Sequence, residues 1–162
     1  MFSLLMTLAL AADPGVSGNF HIDQTESELE VVQGAAVQTT LESLPWALRG
    51  LVRRRVAGVI TNCTDLSVAH TPSQLTLTCD DEPVHVVDLP AQGITKTDRN
   101  GNPMTVTVDV ADTQMTVTFA TGEGGVTTRY RPDGDKMHVQ KTLFSPRLQE
   151  PVSWEVRYRR LL

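Results

Sequence analysis

From about residue 103 onward, apolar side chains recur at every second position, and each such run ends in a short cluster of turn-forming residues. Met104, Val106, Val108 and Val110 alternate with threonines and an aspartate. Asp112-Thr113 then leads into Met115, Val117 and Phe119, and Gly122-Glu123-Gly124-Gly125 into Val126, Thr128 and Tyr130. Asp133-Gly134-Asp135 precedes Met137, Val139, Lys141 and Leu143, and the last run carries Val152, Trp154, Val156 and Tyr158. A period of two places each series on one face of a strand. The connections suit hairpins and are too short for parallel crossovers, so the pattern predicts an antiparallel meander.

Upstream, Val59-Ile60 and residues 66–70, 75–79 and 84–88 read as further short strands, Leu75, Leu77 and Cys79 sharing a face. Thr25-Glu26-Ser27-Glu28 has the spacing of a capping box, followed by Leu29, Val32, Ala36, Val37, Leu41, Leu44 and Leu48 mostly at helical intervals. Pro45 interrupts that stripe, which predicts helices near 26–43 and 46–55 joined by a bend. The expected fold is mostly β: an antiparallel up-and-down barrel, or a strongly curled sheet, with an N-terminal helix pair. Closure would remove the exposed edges of a long sheet; a half-open sheet gripping the helices is the alternative.

The chain has 162 residues, enough for one domain with a sizeable core. Nineteen acidic against fourteen basic side chains give a formal charge of -5, and no recognition module accompanies the arginines, so no nucleic-acid partner is expected. The uncharged stretch 1–11 has an apolar run, Phe2 to Leu10, and a small-x-small Ala9-Leu10-Ala11. It is read as a signal peptide preceding a domain at 12–162, with a buried first strand or a retained anchor as alternatives. Export predicts a periplasmic or secreted chain, with cell-envelope or membrane association as a weaker expectation. It would also let Cys63 and Cys79 bridge, because a hairpin through Thr71-Pro72-Ser73-Gln74 brings their regions together; two free buried cysteines are the alternative.

Gly18-Asn19-Phe20 resembles the Gly-x-Trp opening of lipocalins, with Phe in place of Trp. One early strand, a helix pair and a β-meander are similar to the intracellular fatty-acid-binding proteins, and Ser153 to Arg160 has the aromatic and basic alternation of a closing barrel strand. The resemblance is to the lipocalin and fatty-acid-binding-protein (calycin) superfamily, and export agrees best with a bacterial lipocalin-like domain. It implies that Gly18 permits close packing and that Phe20 closes one end of the barrel. Arg157 and Tyr158 are adjacent rather than in the Arg-x-Tyr arrangement, so a carboxylate clamp does not transfer onto them.

A barrel of this kind can enclose an apolar ligand. Met104, Met115, Phe119, Met137 and Trp154 are candidate wall residues, and Tyr130 and Tyr158 add hydroxyls that could orient a ligand. Arg49, Arg53 and Arg54, in the compact basic cluster that Arg55 completes, are candidate contacts for an anionic group, or they complement a helix C-terminus. His21, His70, His85 and His138 fall on separate expected strands without ligand spacing, so no metal site is expected. No nucleophile elbow, phosphate loop or H-E-x-x-H pattern occurs, and neither a cofactor nor a catalytic residue is assigned. The leading expectation is noncatalytic binding of a small apolar or amphipathic molecule in an exported barrel. A structural or envelope interaction domain with a filled core is the alternative, and an enzyme is the least favoured.

Overall fold

The structure is a computed structural model that describes residues 15–42, 44–47, 49–50, 53, 62–97 and 101–162. The expected leader at 1–11, Val59-Ile60 and much of the expected second helix lie outside the described residues.

Ten strands form one antiparallel sheet. They are β1 (Gly18–Ile22), β2 (Asp65–His70), β3 (Gln74–Cys79), β4 (Glu82–Asp88), β5 (Gln92–Thr97), β6 (Pro103–Ala111), β7 (Gln114–Thr121), β8 (Gly124–Asp133), β9 (Lys136–Phe144) and β10 (Val152–Arg160). Their order is β4-β3-β2-β1-β10-β9-β8-β7-β6-β5, so β1 pairs with β10 and every other neighbour is joined by a hairpin or, for β1 and β2, through the helical segment. Strand β5 has no counterpart in the sequence reading. Its only apolar side chain is Ile94, and a bulge with Gly93 at φ +73° breaks its alternation.

The sheet curls strongly, and β4 and β5 at its two ends are not joined by a ladder. Side chains span the two edges instead: the Lys96 ammonium on β5 donates to the Val86 carbonyl on β4. The architecture is a half-barrel rather than a closed ring. Alternation decides what it encloses. Val106, Met115, Val117, Met137, Val139, Val156 and Tyr158 all point inward and are fully buried or nearly so, while the interleaved threonines and arginines face out.

A single helix, α1 (Glu26–Glu42), is defined among the described residues where a pair was expected. The capping box starts it: the Glu28 N–H donates to Thr25 Oγ1 at 3.3 Å, and the Thr25 N–H donates to Glu28 Oε2 at 2.8 Å. These bonds to Thr25 hold the Glu28 carboxyl below its usual range. Leu29, Val32 and Ala36 pack on the core, and Leu41 is buried beyond them. The stripe that suggested a second helix begins after Pro45 with Trp46, whose side chain is 84% exposed, so that register has no hydrophobic seat there. Helix α1 is 17 residues, and no helix among the described residues is long and apolar enough to cross a membrane.

The first and last strands are locked together at one end of the half-barrel. The Arg160 guanidinium lies 4.8 Å from the centre of the Phe20 ring and donates to the carbonyls of Ser17 and Gly15 at 2.7 and 2.8 Å. Gly18 makes room for it, because a Cβ there would fall against Arg160 Nη1. The expected close packing at Gly18 and end-closing role of Phe20 are both present. On the outer face of β10, Arg157 pairs with Glu28 at 3.7 Å and Arg159 with Asp23 at 3.3 Å, tying the start of α1 to the sheet.

Candidate functional site

The inward faces of the strands enclose an interior cavity of about 320 Å³. Its apolar wall comes from Leu66 on β2, Leu77 on β3, Met104 on β6, Phe119 on β7 and Val126 on β8. The cysteine pair adds to the wall as a disulfide, with Cα atoms 5.1 Å apart. The bridge anchors the entry to β2 against the end of β3. Asp80 reinforces it by accepting from the Thr64 and Asp65 N–H groups at 2.9 and 2.8 Å. Across the lumen, the His85 ring on β4 stacks on Phe119 with centroids 3.9 Å apart and planes 26° from parallel.

Polar groups gather on one side. Thr128, Tyr130, Lys141 and Trp154 sit on the neighbouring strands β8, β9 and β10, and all line the cavity. The ladder fixes their neighbourhood: Lys141 is the register partner of Trp154 on one side and of Thr128 on the other. Burial pushes the Lys141 ammonium down to about 8 from an ordinary 10.5, because the low-dielectric surroundings disfavour its charge. Burial likewise raises the Tyr130 hydroxyl. The Trp154 Nε1–H is buried without a hydrogen-bond partner. A buried donor left unmade costs ~1–3 kcal/mol, so this group is placed for an acceptor that the protein does not itself provide.

Of the wall residues expected from sequence, Met104, Phe119, Tyr130 and Trp154 line the cavity. Met115, Met137 and Tyr158 do not; they fill the packed end of the half-barrel, at 0%, 0% and 1% exposure. The Tyr158 hydroxyl donates to the Cys63 carbonyl at 3.0 Å, so it braces the disulfide loop rather than facing the lumen. Arg49 is exposed, with its Nε donating to the Leu44 carbonyl at 3.0 Å, and Arg53 is exposed; neither lines the cavity. Arg54 lies outside the described residues. Lys141 is the chief group that sequence reasoning passed over. Its signal was present, since it stands in phase with Met137, Val139 and Leu143 on an otherwise apolar face.

No protein-family model matches the chain, and no curated protein does. Solved structures do. A Schistosoma mansoni fatty acid binding protein in complex with arachidonic acid superposes with a TM-score of 0.52 at 14% identity, covering 91% of this chain and 96% of that one. Apo Caenorhabditis elegans lipid binding protein 8 gives 0.51 at 8% identity, covering 94% and 100%. A variant of the fluorescent protein UnaG gives 0.51 at 13% identity, covering 90% and 96%. The chain has the curled-sheet fold of the lipocalin and fatty-acid-binding-protein superfamily. At these identities the likeness concerns the backbone, and the chemistry of the cavity rests on this chain's own side chains.

Proposed function

We propose that the protein binds a small apolar or amphipathic molecule inside the half-barrel, with the apolar part against Leu66, Leu77, Met104 and Phe119 and an oxygen acceptor turned toward β9 and β10. The unpartnered Trp154 Nε1–H in the cavity wall carries this reading. In a lumen that is otherwise largely apolar, a ligand oxygen would complete the one donor the fold leaves open. The cavity volume falls in the range of small-molecule sites, and the fold is shared with proteins described as binding fatty acids or lipids. We also place the chain in an oxidising compartment, periplasmic or secreted; the Cys63–Cys79 bridge supports this, since such bridges persist outside the reducing cytosol.

The test is titration of the protein with straight-chain alcohols, read by Trp154 fluorescence in a Trp46→Phe background. Saturable one-to-one binding is expected, tightening by ~0.8 kcal/mol, roughly fourfold, for each added methylene until the cavity is full. Absence of saturable binding across the series, or affinity without dependence on chain length, would refute the reading and leave a filled scaffold.

A further inference from the structure

We propose that Lys141 captures an aldehyde carried on an apolar ligand, holding it in the cavity as an imine. The inference rests on the cavity being a ligand site and adds the chemistry of its polar end.

Three features of the structure converge on it. Lys141 projects from β9 into the same lumen as its ladder partners Trp154 and Thr128, so an amine, an indole N–H and a hydroxyl face one space. The apolar walls surround that group, and no acidic side chain lines the cavity among the described residues. Such an environment favours the neutral amine, the form that has a lone pair to donate, and burial does bring Lys141 down to about 8. The unpartnered Trp154 N–H supplies a donor to a carbonyl oxygen, which holds the aldehyde and withdraws electrons from the carbon to be attacked.

The step balances without an oxidant or a reductant. The Lys141 nitrogen lone pair forms an N–C bond to the carbonyl carbon as the C=O π pair moves onto oxygen. A proton passes from nitrogen to that oxygen, with the Thr128 hydroxyl at hand as a relay. The carbinolamine then loses water as its C–O bond breaks with a further proton from nitrogen, leaving the C=N bond and one water molecule. An arginine at this position would stay protonated and could only pair with an anion; lysine adds a nucleophile.

The probe is octanal. The intact protein is incubated with it, reduced with borohydride and analysed by intact mass and peptide mapping. The chain has three lysines, Lys96, Lys136 and Lys141, so the other two serve as internal controls. The expected result is a single octyl addition on the Lys141 peptide, lost in Lys141→Met and in Lys141→Arg. Trp154→Phe should slow capture by roughly tenfold to a hundredfold, the scale of losing one donor to a developing oxyanion. Octanol binding is measured beside it and should persist in Lys141→Met, which also reports that the variant folds. Octanol binding with no adduct at Lys141, adducts spread evenly over the three lysines, or tight octanoate binding without octanal capture would overturn the imine while leaving the ligand site standing. Failure of octanol and octanal alike would instead remove the site itself.

Discussion

Replacing Lys141 by Met should stabilise the fold, and the gain should fade with rising pH. The folded protein holds this amine near 8 whereas the unfolded chain leaves it near 10.5. At ~1.4 kcal/mol per pH unit, that gap sets the cost of keeping the charge in the lumen at ~2–3 kcal/mol, the lower end allowing for partial contact with the solvent-filled cavity. Below pH 8 both states carry the proton, and the full cost is present. Between pH 8 and 10.5 the unfolded chain binds a proton that the folded one has released, so wild-type stability rises with pH. Urea unfolding of both proteins at pH 7, 8 and 9 measures this directly. Lys141→Met should lead by ~2–3 kcal/mol at pH 7, and by ~1 kcal/mol less at pH 9. Taking the difference between the two proteins removes the tyrosines, whose raised values act in the opposite sense nearer pH 10. A difference that stays constant from pH 7 to 9 would show that Lys141 titrates as an ordinary exposed lysine and would refute the reasoning.

Other perturbations probe the frame around the cavity. Tyr158→Phe removes the donor to the Cys63 carbonyl from a side chain 1% exposed, and denaturant unfolding should show a loss of ~1–3 kcal/mol. Gly125→Ala would drive a Cβ into the Phe119 carbonyl and the Ala120 Cα, both backbone, so a drop of ~1–3 kcal/mol in unfolding free energy is expected, with a lowered melting temperature. Reducing the Cys63–Cys79 bridge, or replacing both cysteines by Ala, should cost ~3 kcal/mol for a loop of this length, read as a shift of the urea midpoint. Arg160→Met should release the Gly15 and Ser17 carbonyls and be detected as faster hydrogen exchange at the start of β1.

The meander was legible because period two is unambiguous over long runs: each inward residue expected from Met104 to Phe119 and from Met137 to Tyr158 takes its place on the concave side, apart from Val110, which is exposed at 37%. Gly18 and Phe20 were legible through a resemblance rather than through pattern. Strand β5 was not, because Ile94 stands alone among polar residues and a bulge hides its phase. The helix pair failed for a different reason. Amphipathic spacing shows which face would be apolar, but it does not say whether a partner surface exists, and Trp46 has none. The same gap divided the candidate wall. Met104 and Met115 are identical in type and both face inward, yet one borders the lumen and the other is sealed in the packed end, a distinction set by how high each stands along the curled sheet. Lys141 carried a readable anomaly, a cation in an apolar series, whose meaning depended on what the ladder put beside it.

Ten strands joined by nine ladders leave a seam between β4 and β5, and that seam is where the wall can yield most cheaply. Spreading it severs no inter-strand backbone bond of the sheet and disturbs chiefly a lysine tether, Lys96 to Val86, while His85 beside it can swing off Phe119. A guest molecule therefore has a route inward that leaves the disulfide, the capped helix and the Phe20–Arg160 lock untouched, so breathing and integrity are assigned to opposite sides of the same barrel.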